Sequence, residues 1–235
     1  MEGAEFVMNH SYSLATAVFL CAVLGATEAS AAGGDPDNWC RNGVFLRDES
    51  PSLGLARVVA GAKVRLIDDL YPECPTNAPR CLGRAYVVPG DVVLTGYVRG
   101  GYVCAFYPNR VGGSAGWIRA GDLTRLADQH AHGLTAWVGE WRDGDNSIRL
   151  SLKAGQLVAA GQAYWPGASP ELKLFPGGPN IGEMAGAARP DGAKAVFDED
   201  GCRVELRLIG PYLAATDNDQ CGGMNVSFSG VYRRK

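Results

Sequence analysis

The sequence predicts an all-β chain made of two successive bodies, a small barrel followed by an antiparallel barrel or sandwich of about eight strands. Three observations carry this. Short runs alternate apolar and polar residues with period two, turns rich in Gly and Asp separate them, and no amphipathic helix falls between the later runs.

The first 31 residues read as a signal peptide. Leu14 to Ala26 carries no charge and is too short, at about a dozen residues, to span a bilayer. The small-x-small stretch Ala29-Ser30-Ala31 follows, so cleavage is expected after Ala31, leaving no transmembrane segment. Periplasmic or secreted localisation is the consequence. The chain has 22 basic and 25 acidic residues, and Glu2, Glu5 and Glu28 belong to the leader. The remainder is therefore formally neutral, 22 against 22, with no basic field to attract nucleic acid.

Six cysteines remain beyond Cys21, and an even number in an exported chain argues for disulfides. Cys202 with Cys221 is the pairing best supported by position. Among the first four, Cys74 with Cys81 and Cys40 with Cys104 is the expected arrangement, although spacing alone leaves the others open. No metal site is expected, because no CxxC occurs and His130-Ala131-His132 lacks a third ligand. No cofactor is implied.

Residues 32–57 read as a lead-in pinned by Cys40, with GVFLRD as a strand candidate. Residues 58–126 form the first body. In AKVRLIDD, Val64 and Leu66 alternate with Lys63 and Arg65, the mark of a half-buried strand. LYPECPTNAPRCLGRA reads as a stapled loop. DVVLTGYV, the turn Arg99-Gly100-Gly101 and YVCAFY form a hairpin, and GWIRAGDLTRL closes the series.

Val64-Arg65, Pro89-Gly90-Asp91, the Gly100-Gly101 hairpin, Gly116-Trp117-Ile118 and Asp122-Leu123 together resemble the bacterial SH3-like (SH3b) domain of exported envelope proteins. That resemblance implies a five-stranded barrel with Trp117 in its core. It also raises an aromatic groove for a peptide or glycan, with Tyr71, Tyr97, Tyr107 and Trp117 as candidate ligand-binding residues.

ADQHAHG, residues 127–133, is the expected linker, and residues 134–235 form the second body. LTAWVGEWR places Trp137, Gly139 and Trp141 on one face. SIRLSLK and CRVELRLIG are one-sided strands, and QLVAAGQAYW, GEMAGAA, AKAVF and YLAATD are weaker ones. In the tail, Met224, Val226, Phe228, Gly230 and Tyr232 share a parity, and Phe-x-Gly-x-Tyr echoes Trp137-x-Gly139-x-Trp141. First and last strands are therefore expected to pair, sparing the sheet two free edges.

The tail DNxxCGGxNVxFxGxY is similar to one in exported bacterial proteins of unassigned role. Its Asp217-Asn218-Asp219 run lacks the Gly and distal Glu of an EF-hand loop, so a hairpin turn is expected. Asn225-Val226-Ser227 is formally a glycosylation sequon.

Catalytic chemistry is not expected. Every cysteine after the leader is better used in a disulfide, and both remaining histidines lie in the linker. The spacing of Glu140, Asp143, Glu183 and Asp198 does not favour paired-carboxylate glycoside hydrolysis. The expectation is a non-enzymatic binding or scaffold protein that contacts peptidoglycan or an envelope protein through the SH3-like body. An inhibitor of lysozyme or another wall hydrolase ranks second, although Ser229-Gly230-Val231-Tyr232 is one residue short of the Ser-Gly-x-x-Tyr loop motif of such inhibitors. A lipocalin-like binder of small apolar ligands ranks third.

Overall fold

A computed structural model describes residues 36–43, 53–109, 112–127, 133–166 and 179–235. The expected leader, most of GVFLRD and the two linker histidines lie outside the described residues. The fold is all-β, as the alternation requires.

Seven strands form the first sheet: β1 (Gly54–Val58), β2 (Val64–Ile67), β3 (Leu82–Val87), β4 (Val92–Arg99), β5 (Tyr102–Tyr107), β6 (Ser114–Arg119) and β7 (Leu123–Arg125). Their order is β3-β2-β6-β5-β4-β1-β7. The turn between β4 and β5 has Gly100 at φ 53° and Gly101 at φ 82°, the left-handed conformation that hairpin turns demand. Two boundaries differ from expectation. β1 starts inside the stretch read as lead-in, and β3 takes the last four residues of the stretch read as stapled loop. Gly83 and Ala85 leave β3 with too few apolar side chains to alternate visibly.

Eight strands form the second sheet: β8 (Gly139–Asp143), β9 (Asn146–Lys153), β10 (Gln156–Trp165), β11 (Asn180–Ala188), β12 (Lys194–Glu199), β13 (Cys202–Ile209), β14 (Tyr212–Asp217) and β15 (Gly230–Arg234). All neighbours are antiparallel, in the order β11-β10-β9-β8-β15-β14-β13-β12. First and last strands do pair, with Arg233 opposite Arg142 and Arg234 opposite Trp141. Free edges are not abolished, however. They move to a seam between β11 and β12, where Gly182 bridges Gly222 and Glu183 N–H donates to Cys221 O at 3.1 Å. A Cβ on Gly222 would stand 2.5 Å from Gly182 Cα, so glycine is what lets the two backbones meet.

Alternation explains the core of the second sheet. Ile148 and Leu150, Leu157 and Ala159, and Val204, Leu206 and Leu208 point inward, where Trp137, Trp141, Phe197, Phe228 and Tyr232 fill the space. Each such fully buried side chain contributes about 1.5–3 kcal/mol. Trp137 reaches this core from a 3-10 turn at Leu134–Ala136 rather than from the expected strand, and Trp141 Nε1 donates to its carbonyl at 2.9 Å. β14 has Leu213, Ala214 and Ala215 buried in succession. Its opposite face is also covered, because Ala214, Ile209 and Val231 pack with Cys40 and with Cys104, Phe106 and Trp117 of the first sheet.

The tail motif resolves into a clasp. Asp217 Oδ1 accepts from the hydroxyls of Ser227 and Ser229, both at 2.8 Å, and Oδ2 accepts from Phe228 N–H at 2.7 Å. Ser229 Oγ in turn accepts from Asp217 N–H at 3.0 Å. Asn218 Oδ1 accepts from Arg203 N–H at 3.1 Å, and its amide donates to Gly201 O at 2.8 Å. Parity fails before Gly230: Val226 and Phe228 are buried, but Met224 is 78% exposed. Asn225, at φ 64°, turns the chain between them.

Three disulfides are present, Cys40–Cys104, Cys74–Cys81 and Cys202–Cys221, as the cysteine positions suggested. Three such bridges fit an oxidising compartment. No helix among the described residues is long and apolar enough to cross a membrane.

Two stability outcomes follow. Replacing both Cys202 and Cys221 by Ser opens a loop of sequence separation 19 and should lower unfolding free energy by about 3 kcal/mol, read from the denaturant midpoint. Asp217→Ala strands two hydroxyls and an amide and should cost about 2–4 kcal/mol in the same measurement.

Candidate functional site

The four aromatic candidates of the first sheet separate. Trp117 is fully buried, and its Nε1 donates to Asn38 O at 2.9 Å. Tyr97 stands edge-on to it with ring centroids 5.0 Å apart and donates its hydroxyl to Trp39 O. Arg99 donates to Asp37 O. Three successive carbonyls at the end of the Pro36–Asn38 turn thus meet three donors of the first sheet. The segment is held there by the Cys40–Cys104 bridge and by Asp69, which accepts from Cys40 N–H at 3.0 Å and from Arg41 through Nε and Nη2, both at 2.9 Å. That pairing pushes the Arg41 guanidinium above its usual range, mainly through the hydrogen bond to Asp69. The Tyr97–Trp117 face is therefore covered by the chain's own residues.

Tyr107 belongs elsewhere. Its hydroxyl lies 3.3 Å from Asp91 Oδ1, and burial, then Asp91, raises its ionisation above the usual tyrosine range. Tyr71 is exposed on the loop stapled by Cys74–Cys81, with the Arg80 guanidinium 5.6 Å from its ring centroid. Glu73, Cys74 and Cys81 are close enough together to suggest a metal site, but both sulfurs are bonded to each other and cannot serve as thiolates. Ser229 to Tyr232 does not protrude. Ser229 is tied to Asp217, and Gly230, Val231 and Tyr232 are buried in β15.

The structure opens a groove that the sequence reading did not anticipate, on the outer face of β8 to β11. Two register rows cross that face: Glu140–Arg149–Ala160–Ala185 and Ser147–Gln162–Glu183. Ala160 and Ala185 form a low floor, and the longer side chains of Arg149, Gln162 and Glu183 rise around it. Glu199, Asp200 and Gln220 complete a hollow of about 670 Å³. Gln162 also lines a neighbouring hollow of about 400 Å³, with Asp145, Ala163, Tyr164 and Ile181. There Tyr164 and Ile181 face each other in register, 40% and 55% exposed. The sequence signal was the small outward residues of QLVAAGQAYW and GEMAGAA, which look merely featureless in a strand pattern.

Charge is unevenly placed. Glu140 accepts from Arg142 Nε at 2.8 Å, and its carboxyl is held below the usual range chiefly by that bond, with Arg142, Lys235 and Arg149 adding to the effect. It is therefore set up as an ionised acceptor rather than as a proton donor. Among the described residues, the side chains of Arg149, Glu183, Glu199 and Asp200 make no hydrogen bond or ion pair, although Arg149 stands opposite Glu140 in register and acts on its carboxyl, which Arg142 holds. No family model, curated protein or solved structure matches this chain. Of the four carboxylates considered for hydrolysis, Glu140 and Glu183 share the groove lining, while Asp198 is on the surface with Arg203 at 3.0 Å.

Asp143 lies apart from the groove lining and accepts from Asn42 Nδ2 at 3.1 Å. Burial raises its carboxyl above the ordinary range, against the lowering effects of Asn42, Arg233 and the Val231 amide. An acid raised in the folded state favours folding below its unfolded value, near pH 3.9, and loses that contribution as pH rises through the folded value. Asp143→Asn removes this titration. Denaturant unfolding should show wild type losing stability relative to the variant from about pH 4 toward pH 7, with the gap closing again in acid.

Proposed function

We propose that the protein is a non-enzymatic binding module of an exported bacterial envelope protein, periplasmic or secreted, that meets peptidoglycan through the outer face of the eight-stranded sheet. The observation that carries this reading is the continuity of the groove. A polar hollow lined by side chains of both charge signs runs through Gln162 into a ledge made by Tyr164 and Ile181. A sugar–peptide polymer presents both kinds of surface, since ring faces stack on aromatic side chains and peptide groups need hydrogen-bonding partners.

The binding face differs from the one the SH3-like resemblance implied. The Tyr97–Trp117 face is occupied by residues 37–39, so the SH3-like body is better suited to holding the N-terminal segment than to recruiting a ligand. A lipocalin-like interior finds no support either, because Trp137, Trp141, Phe197, Phe228 and Tyr232 fill the second core. The three disulfides support the exported setting.

Purified sacculi provide the test. Wild-type protein should sediment with them, and Ala185→Trp, which raises an indole from the exposed floor, should abolish retention while leaving the thermal midpoint unchanged. Equal retention of both proteins would move the contact away from the groove, and no retention of wild type would end the peptidoglycan reading.

A further inference from the structure

We propose that the groove reads a zwitterionic peptide, taking a carboxylate at Arg149 and an ammonium at Glu183, Glu199 and Asp200. This rests on the groove reading above and names the part of the ligand that the groove selects. β10 separates Arg149 on β9 from Glu183 on β11, and at that level its outward side chains are Ala160 and Gln162. The two charges thus stand on strands two spacings apart, about 10 Å. An extended peptide advances about 3.3 Å per residue, so about three residues would carry an ammonium and a carboxylate across the alanine floor.

Other charged ligands fit less well. A divalent ion needs convergent oxygens, and among the described residues the only group of three candidate ligand atoms within 4.8 Å of one another is Glu73, Cys74 and Cys81. The groove carboxylates are thus too dispersed for a metal ion and suited to a ligand with spread contacts. A polyamine would satisfy them but would set a like charge beside Arg149. A neutral sugar alone would leave both charge signs unanswered. Gln162, which can donate and accept, lies between the two walls and suits the amide groups of a peptide backbone.

Isothermal titration calorimetry at low ionic strength on the oxidised protein tests this with three peptides: N-acetyl-Lys-Ala-Ala as the free acid, its C-terminal amide, and the free acid with norleucine in place of lysine. The free acid should bind, and each single-charge peptide should bind about tenfold more weakly. Arg149→Gln should erase the difference between acid and amide. Glu183→Gln combined with Asp200→Asn should erase the difference between lysine and norleucine. Equal binding of all three peptides to wild type would overturn the inference, as would uniform weakening of all three by the charge variants. Absence of binding at millimolar concentration would overturn it too. If that absence coincides with loss of sacculus retention in Ala185→Trp, the ligand chemistry fails and the groove reading stands.

Discussion

The second sheet depends on one carboxylate. Asp217 closes β14 and, through Ser227, Phe228 and Ser229, fixes the path of the chain before β15. Phe228 is thereby delivered to the core, and Gly230 starts a strand that pairs with both β14 and β8. Without that path the sheet would split between β8 and β15, its middle in strand order. Charge-assisted bonds to hydroxyls and an amide are well suited to the task, because they combine strength with direction in a half-buried place. The Cys202–Cys221 bridge acts on the same segment, joining the start of β13 to the loop that covers the β11 edge.

β14 and β15 then serve two cores at once. Leu213, Ala215 and Tyr232 face the inside of the second sheet, and Ala214 and Val231 face the cluster around Cys104 and Trp117. Small and β-branched residues on the second face let the two sheets approach closely. The Cys40–Cys104 bridge and the Asp69 carboxylate hold the N-terminal segment in the same cluster. The aromatic face that would be exposed in an isolated barrel is therefore part of the packing here.

These facts also decide what was legible in the sequence. β9 and β13 alternate against solvent and were plain, β10 was visible only as a weaker strand, and the paired aromatic-x-Gly-x-aromatic patterns did foretell the β8–β15 neighbourhood. Burial on two faces erased the pattern of β14, and Gly83 with Ala85 erased that of β3. Trp137 looked like a strand residue because a 3-10 turn delivered its side chain to the face that strand parity would have chosen. The loop from Met224 to Ser229 misled for another reason: alternating residues there are positioned by the Asp217 clasp, a contact between residues ten to twelve apart that no local period records. The groove was hidden more deeply, since it consists of short side chains in rows that exist only once the register of four strands is known.

The alanines of that groove have a different standing from the small residues beneath them. On the inner side of β10, a Cβ at Gly161 would come within 2.7 Å of Met184 Cγ and 2.9 Å of Ser147 O, so packing alone requires glycine there. Packing places no such demand on the outer side. Ala160 and Ala185 are exposed, and long polar side chains of the kind that surround them would be tolerated. A face that sets two adjacent alanines among Arg149, Gln162 and Glu183 is therefore not a by-product of closing the core. The same parity that hides the apolar residues within the sheet lifts Arg149, Gln162 and Glu183 around a low floor, with β10 between Arg149 on β9 and Glu183 on β11.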